Sequence, residues 1–390
     1  MIIPETAKDK LAIVVVGYNK PKGLMRLLNC IDSAYYELDN VPLVLSIDAS
    51  GNEDVYRIAR EFNWHHGKKY VNIETERLGL KNHIFQCASL TKYFKGVIIL
   101  EDDLFVSPYF YHYSQKALDR YGDDKKIAGI SLYQEETNGY VGLPFQALVN
   151  QYDAYAWQTV CSWGEVWNER MWNEFQNWLE KWDGNFEPID MIGKIKRWPR
   201  AWSKFYYAFI ISTDKYFIYP YQALSTNFND AGGEHGGGDT SIVQVSLIQG
   251  KKDYQFGDFK DLVKYDVYSQ NLSIPEWLNI SKDDITVDFY GLKDVYNGHY
   301  ILTPFDLPYK RVKGFSLSMR PWEMNIKEGI EGDDINLFYR DDNSQSIPPF
   351  RKYSYKTASY FLRGFNSKLL DTYMWKSIVK RIKNRLHING

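Results

Sequence analysis

Three successive carboxylates, Glu101, Asp102 and Asp103, are the residues of this sequence best placed to do chemistry. They directly follow residues 97–100 (VIIL), an apolar run typical of a strand buried on both faces of a parallel sheet. Ligands of α/β sheets bind at the carboxyl ends of the strands. Adjacent carboxylates repel one another unless a cation lies among them, and a divalent metal that also binds phosphate meets that need. The alternative is a solvated acidic turn that caps the next helix.

Apolar runs of strand length alternate with helical patterns over the first hundred residues. Residues 11–17 (LAIVVVG), 43–47 (LVLSI) and 70–73 (YVNI) are predicted strands, with amphipathic helices between them. The order β-α-β-α-β-α-β is typical of an α/β fold with a doubly wound, mostly parallel sheet. The loops at the carboxyl ends of the strands then meet at one edge, and Arg77 is a candidate ligand-binding residue because of its loop position. These loops comprise residues 18–20, 48–51, 77–79 and 101–103.

Two further segments allow both a structural and a functional interpretation. Six tryptophans occur between residues 157 and 182, where they suit either an aromatic core or a sugar-stacking surface, since indole has a flat apolar face and a polar edge. Residues 225–238 form a glycine-rich loop with no rigidity of its own. His235 is its candidate metal ligand, and the loop is either a flexible connector or a lid that orders over a ligand.

Composition restricts the functional class. The 390 residues are 44% hydrophobic and 25% charged with a net charge of -2, which is typical of a globular protein and gives no sign of nucleic-acid binding. Neither G-x-G-x-x-G nor a P-loop motif follows the first strand, which disfavours dehydrogenases and Walker-type ATPases. Three widely spaced cysteines, a polar start and the lack of an apolar run of about 20 residues predict a cytoplasmic protein.

With these motifs in place, the sequence resembles inverting GT-A glycosyltransferases, in particular the N-acetylglucosaminyltransferase I family and related bacterial polysaccharide glycosyltransferases. The resemblance covers roughly residues 11–245. It implies a GT-A fold with a Rossmann-like sheet and flanking helices, a UDP-sugar donor, a glycan acceptor and Mn²⁺ or Mg²⁺, in bacterial surface polysaccharide synthesis. The segments that carry it are VVVGYNK (14–20), LSIDASGNED (45–54), IILEDDLFVSPYFYHY (98–113), SWGEVW (162–167) and STNFNDAGGEHG (225–236).

The resemblance also implies roles for individual residues. Asp48 would read the uracil edge, and Lys20 would lie near the nucleotide, where the Golgi family has Arg. Glu101 and Asp102 would face the donor sugar and the ribose. Asp103 would bind the metal that bridges to the diphosphate. The remaining candidate metal-site residue, His235, would belong to a mobile loop that covers the nucleotide.

The catalytic base is the point at which the sequence departs from the family pattern. The family has an Asp in the Trp-rich helix after the acceptor loop, and the nearest alignment places Asn177 there, which cannot accept a proton. Glu174 lies three residues earlier, almost one helical turn, and is the first candidate for the base. Glu165 and Asp153 are the alternatives.

We expect three regions: a nucleotide-sugar-binding catalytic domain (1–245), a C-terminal part or small accessory subdomain (246–360) and a basic tail (361–390). The tail has seven basic residues against the single acid Asp371, with apolar residues at three- and four-residue spacing. This pattern predicts an amphipathic helix that binds an anionic membrane surface, such as the inner face of the plasma membrane, or packs on the catalytic domain. Membrane attachment would suit a lipid-linked acceptor.

Two other functions compete with sugar transfer. A sugar-nucleotide nucleotidyltransferase also combines an α/β sheet with acidic metal ligands, but usually has a glycine-rich basic loop after the first strand, of which VGYNKPKG is a poor version. A non-catalytic sugar-binding module would explain the aromatic residues but not the acidic motif.

Overall fold

The computed structural model describes residues 7–37, 40–199, 201–230, 243–341, 351–362 and 367–385. The chain divides into two compact units, the first comprising Met1–Ile274 with Leu292–Asp294 and the second Pro275–Gly291 with Val295–Gly390. The division therefore differs from the predicted boundaries at 245 and 360. Residues 246–274 belong to the first unit, and the tail is grouped with the second.

The first unit is built on a nine-stranded sheet with the order β13-β9-β11-β6-β10-β4-β1-β2-β3. Five of its eight neighbouring pairs are parallel, and β10 is antiparallel to both of its neighbours. The predicted mostly parallel α/β fold is thus confirmed. The strands of this unit are β1 (Leu11–Gly17), β2 (Leu43–Ile47), β3 (Lys69–Ile73), β4 (Gly96–Glu101), β5 (Leu104–Val106), β6 (Ile127–Ser131), β7 (Thr137–Asn138), β8 (Leu143–Pro144), β9 (Ala154–Trp157), β10 (Glu165–Asn168), β11 (Tyr216–Pro220), β12 (Ser225–Asn227) and β13 (Lys264–Tyr265).

The described part of this unit contains seven α-helices, and their ends follow from local sequence. Pro21 opens α1, where its missing N–H leaves no donor unsatisfied. Asn52 caps α2, its side chain accepting from the backbone N–H groups of Asp54 and Val55. The helices are α1 (Pro21–Asp32), α2 (Glu53–Glu61), α3 (Leu80–Ala88), α4 (Phe110–Tyr121), α5 (Glu169–Lys181), α6 (Gly193–Lys196) and α7 (Trp202–Ser212).

Strand direction brings the predicted loops together. The strands β3, β2, β1 and β4 are parallel neighbours, so their carboxyl ends lie at one edge. Because β10 runs antiparallel to both β4 and β6, β6 ends at that same edge. Beyond the acidic motif, β5 pairs with β12 in a two-stranded antiparallel ribbon that places Asn227 opposite Leu104.

The second unit has a four-stranded sheet with the order β14-β15-β17-β16. Tyr296, Ile301, Leu307 and Phe338 form a small buried cluster in it. Its strands are β14 (Ile285–Val287), β15 (Tyr300–Thr303), β16 (Lys310–Phe315) and β17 (Ile335–Tyr339), and its helices are α9 (Glu323–Lys327), α10 (Tyr355–Leu362) and α11 (Ser367–Arg385). The short helix α8 (Ile274–Trp277) also belongs to it, except for its first residue, Ile274.

Helix α11 occupies most of the predicted tail, and its 19 residues agree with the helical pattern of the sequence. Five of its large apolar side chains are exposed: Tyr373, Met374, Trp375, Ile378 and Ile382. Of the helices that the structure describes, none combines the length and apolar character needed to cross a membrane.

Candidate active site

A cavity of about 1000 Å³ lies at the carboxyl edge of the main sheet. The structure brings six of the predicted residues together in its lining: Lys20, Asp48, Arg77, Glu101, Asp102 and Asp103. A smaller cavity of about 270 Å³ lies at the opposite edge, beside the amino ends of β1 and β4, and contains none of the predicted site residues.

The acidic motif is held by the loop after β1. Since Val16 pairs with Glu101, this loop lies against Asp102 and Asp103. The backbone N–H of Tyr18 donates to Asp102 Oδ2 at 3.1 Å, and Lys20 Nζ donates to Asp103 Oδ2 at 3.0 Å. Lys20 Nζ is also 3.8 Å from Asp102 Oδ1. Lys20 is therefore a cation among the carboxylates, as their mutual repulsion requires.

Burial and charge oppose each other in this cluster. Burial raises the pKa of Asp102 to about 6, against the lowering effects of Lys20 and the Tyr18 amide. For Lys20, burial lowers the pKa, but Asp103 and Asp102 together outweigh it and the net shift is upward. Lys20 consequently keeps its positive charge at neutral pH.

Asp48 joins two loops of the cavity. Its buried carboxylate accepts at Oδ1 from the backbone N–H groups of Ala49 (2.9 Å) and Leu78 (2.8 Å), and at Oδ2 from Gly79 (3.0 Å). Gly79 has a φ of 75°, a conformation that favours glycine. Next to these loops, the Arg77 guanidinium lies 4.9 Å from the centre of the Tyr18 ring. Asp48 therefore has a structural role whatever it binds.

Close packing fixes the acidic motif from its other side. A Cβ on Gly23 of α1 would lie 2.5 Å from the carbonyl oxygen of Asp102, so glycine permits the helix to approach. Asn227 Nδ2 donates to Asp103 Oδ1 at 3.4 Å, and Arg26 donates to the Asp103 carbonyl oxygen at 3.4 Å. Arg26 also forms an ion pair with Asp230. No sequence pattern indicated these contacts, because Arg26 and Gly23 come from α1 and Asn227 is brought near by the β5–β12 pairing.

The acidic motif supplies oxygen donors of the kind that divalent metals prefer, but belongs to no complete set of protein ligands among the described residues. Among the described residues, no three His, Cys, Asp or Glu side chains form a cluster that could hold a metal ion. Asp103 retains 15% exposure of its side chain in the cavity and offers the oxygen donors that Mg²⁺ and Mn²⁺ prefer. His235, the other predicted metal-site residue, lies outside the described residues.

The three candidates for the base lie outside the cavity lining. Glu174 forms ion pairs with Arg170 (3.1 Å) and Lys215 (2.9 Å). Asp153 Oδ1 pairs with Lys252 Nζ at 2.6 Å, and its Oδ2 accepts from a backbone N–H. The negative charge of each carboxylate is thus balanced by neighbouring basic side chains. The structure does not bring either into the candidate site.

Glu165, on β10, is a buried carboxyl group of a different kind. It is 1% exposed, and neither of its oxygens has a hydrogen-bond partner of normal geometry among the described residues. Burial and then the charge of Glu101 raise its pKa well above the usual range, with partial opposition from the Gly164 amide. Burial and the charge of Glu101 thus both favour the protonated form of Glu165, which makes it a weaker candidate for the base.

Glu135 is a carboxylate that sequence analysis missed. It follows β6 at the same sheet edge as the acidic motif, in a loop that no periodicity marks. Burial raises its pKa to about 8. It interacts electrostatically with Tyr133, Tyr140, Tyr155, Tyr207 and Tyr219. Tyr133 links this region to the cavity, because its ring lies 4.7 Å from that of Trp163 in the lining.

The tryptophan-rich segment divides between core and cavity. Trp157, Trp167 and Trp172 are buried, and they pack against other rings of the main sheet and its helices. Trp163 lines the cavity, as does Trp202, which follows later in the chain. The core interpretation therefore holds for Trp157, Trp167 and Trp172, whereas Trp163 lies in a cavity wall where a ligand could contact it.

Solved glycosyltransferase structures are similar to parts of the chain. TarS of S. aureus in complex with UDP-GlcNAc has 13% identity and a TM-score of 0.38, with 61% of this chain and 62% of that chain covered. Mannosyltransferase PcManGT from Pyrobaculum calidifontis, in complex with GDP-Man and Mn²⁺, has 15% identity and a TM-score of 0.31, with 43% and 47% covered. GalNAc-T7 with UDP, GalNAc and Mn²⁺ has 14% identity and a TM-score of 0.38, with 55% and 42% covered.

The chain spans less than two thirds of the length of each of these structures. No family model and no curated protein sequence matches it. At these identities and TM-scores the similarity does not extend to substrates or site residues. Assignments for this chain therefore rest on the geometry of the cavity.

Proposed function

We propose that the protein is an inverting glycosyltransferase that moves a sugar from a UDP-sugar to a hydroxyl group of a glycan acceptor. The observation that carries the proposal is the meeting of Asp48, Lys20, Arg77 and the acidic motif in one large cavity at the carboxyl ends of parallel strands. Such a cavity combines an acceptor for a nucleobase N–H, positive charge for a diphosphate and carboxylates for a sugar and a metal. These are the groups that the family resemblance implies for a UDP-sugar site.

Each group has a part in the proposed reaction. Lys20 and Arg77 place positive charge where the diphosphate leaves, which stabilises the charge that develops on it. Asp103 would hold Mn²⁺ or Mg²⁺, which when bound supplies further Lewis-acid stabilisation of that charge. Glu101 and Asp102 accept hydrogen bonds from the hydroxyl groups of the donor. Attack by the acceptor from the opposite face then inverts the anomeric carbon, as in single-displacement glycosidases.

The base of this reaction must accept a proton from the acceptor hydroxyl. Glu135 lies outside the cavity lining, as Glu174, Glu165 and Asp153 do, but at the reactive sheet edge and with no ion pair among the described residues, unlike Glu174 and Asp153. It is also partly exposed, whereas Glu165, at the same edge, is buried. A carboxylate with a pKa near the working pH is an effective general base. We therefore propose that Glu135 is the general base.

The decisive experiment measures UDP release from a panel of UDP-sugars, with and without Mn²⁺, in the presence of mixed glycan acceptors. Sugar transfer predicts UDP as a product that depends on the acceptor. A nucleotidyltransferase would release pyrophosphate from UTP and a sugar phosphate instead. A binding module would release nothing, and either of these results would refute the proposal.

We expect nucleotide selectivity to depend on Asp48. A carboxylate has about four lone-pair sites, and three backbone N–H groups occupy Asp48, which leaves one for the N3–H of uracil. Isothermal titration should rank UDP above CDP and GDP, and Asp48→Asn should weaken UDP binding roughly 10- to 100-fold. Asp54→Asn, an exposed carboxylate on the following helix, is the matched control. Equal affinity for the three nucleotides would exclude the role.

The tail is proposed to bind anionic lipid, which would bring the enzyme to a lipid-linked acceptor of a bacterial surface polysaccharide. Helix α11 exposes Trp375, Ile378 and Ile382 together with Lys368 and Lys376, and each basic side chain near an anionic surface contributes about 1 kcal/mol. The protein should co-sediment with phosphatidylserine vesicles at low salt and lose this on deletion of residues 361–390. Binding that persists after the deletion, or no binding by the intact chain, would contradict the prediction.

A further inference from the structure

Four aromatic side chains form a continuous group beside the cavity: Trp178, Trp182, Phe186 and Phe205, here called the aromatic row. The rings of Trp178 and Trp182 stack with centroids 5.0 Å apart and an interplanar angle of 17°. Trp182 meets Phe186 edge-on at 4.5 Å and Phe205 at 6.2 Å. The row connects the last turn of α5 with the first turns of α7.

The aromatic row differs from the aromatic core in its exposure. Trp167 and Trp172, which lie earlier in the same segment, are fully buried. All four members of the row are partly exposed. Adjacent rings that remain accessible to solvent form an apolar patch of the kind that marks binding surfaces.

The row is continuous with the candidate active site. Phe205 lines the cavity, as do Trp202 and Ser203 from the same helix, so the row extends outward from the cavity wall. The donor-binding residues Asp48 and Lys20 lie on the loops after β2 and β1 instead. A ligand that occupied the row would therefore approach the cavity from the side of α7.

Two lysines give the aromatic row a positive edge. Lys204 Nζ lies 3.9 Å from the centre of the Phe186 ring, and Lys81 Nζ lies 4.9 Å from that of Phe205. Burial lowers the pKa of Lys204, and Glu187 partly opposes this effect. Lys81 also lines the cavity. These ammonium groups would favour a ligand that carries negative charge close to its apolar faces.

We propose that the aromatic row is an acceptor subsite that holds an anionic oligosaccharide, with its sugar rings packed on the aromatic faces and its reacting end in the cavity. The inference rests on the proposed function and extends it. Pyranose rings have an apolar C–H face that packs on an indole or phenyl ring, while their hydroxyl and anionic groups remain in water or meet lysines. The acceptor is consequently a chain of several sugars rather than a monosaccharide.

The test measures binding of defined oligosaccharides to the full chain by isothermal titration in the presence of UDP. The probes are N-acetylglucosamine oligomers as the neutral series and hyaluronan oligomers as the anionic series, each from short to long. We expect affinity for the anionic series to rise with length and to fall with salt. Trp178→Ala and Trp182→Ala should weaken binding of the longest oligomer about tenfold or more.

Three further variants separate recognition from folding. Trp182→Phe keeps an aromatic face and should stay within about threefold of wild type. Lys204→Met keeps an apolar stem and should weaken only the anionic series. Tyr35→Ala is the matched control, because Tyr35 is an exposed ring with Lys251 Nζ 5.3 Å from its centre, outside the cavity lining.

The outcomes are distinguishable. Wild type that binds UDP but neither oligosaccharide series, or binds them without dependence on length, overturns the subsite. Alanine variants with wild-type oligosaccharide affinity overturn it as well. Should the alanine variants fail to fold, unchanged anionic binding by Lys204→Met would be sufficient to refute it. Lack of UDP binding by wild type would instead contradict the proposed function.

Discussion

Asp103→Ala is expected to lower the kcat of sugar transfer by about 100-fold or more, because the residue lies where the leaving diphosphate and its metal would be stabilised. Its carboxylate accepts from Lys20 at 3.0 Å and from Asn227 at 3.4 Å, and part of it is exposed in the cavity. The fold should survive, since the strand that carries the motif is held by the buried apolar residues before it. Steady-state kinetics at saturating Mn²⁺ and a melting curve measure the two effects.

Two controls show whether the loss arises from chemistry. Asp103→Asn keeps the size of the side chain and should be almost as inactive as the alanine variant, since the amide cannot supply the charge. Asp119→Ala removes a carboxylate paired with Lys95 beside the smaller cavity and should retain wild-type turnover. Turnover of Asp103→Ala within a few-fold of wild type would remove Asp103 from the metal site.

The parts of the fold that sequence predicted well are those in which local pattern and burial agree. Residues 11–17 and 43–47 were predicted as strands, and β1 and β2 have these bounds with every residue buried. A strand buried on both faces is apolar throughout, so the apolar run in the sequence indicates its first and last residues. The shared edge then followed from parallel alternation, which is why the loops that contain Lys20, Asp48, Arg77 and the acidic motif could be predicted to meet.

The remaining parts depend on contacts between distant segments. Asn227 reaches Asp103 only because β12 pairs with β5, more than a hundred residues earlier. Glu174 looked suitable for the base by its spacing, yet Lys215, from the loop after α7, neutralises it at 2.9 Å. The raised pKa of Glu135 likewise arises from burial by several elements. None of these contacts has a periodic signal in the sequence.

Glu135→Gln is expected to lower kcat by about 100- to 10,000-fold while UDP affinity is unchanged, since a base acts only in the chemical step. In the free protein the pKa of Glu135 is about 8, so kcat/KM of wild type should rise with pH up to that value. The variant should lose this rising limb. Rate profiles between pH 5 and 9, with UDP titrations at pH 7, measure both effects.

Stability gives an independent readout of the same carboxyl group. Because burial raises its pKa from 4.5 to about 8, the folded state binds a proton that the unfolded state releases over this range. Glu135 therefore makes the protein less stable as pH rises from about 4.5 to about 8, and Glu135→Gln should flatten that decline. A merely structural residue would change stability without removing the rising limb from the pH profile of kcat/KM.

If Glu174→Gln, Glu165→Gln or Asp153→Asn abolishes turnover at full UDP affinity and Glu135→Gln does not, the base is one of those residues instead.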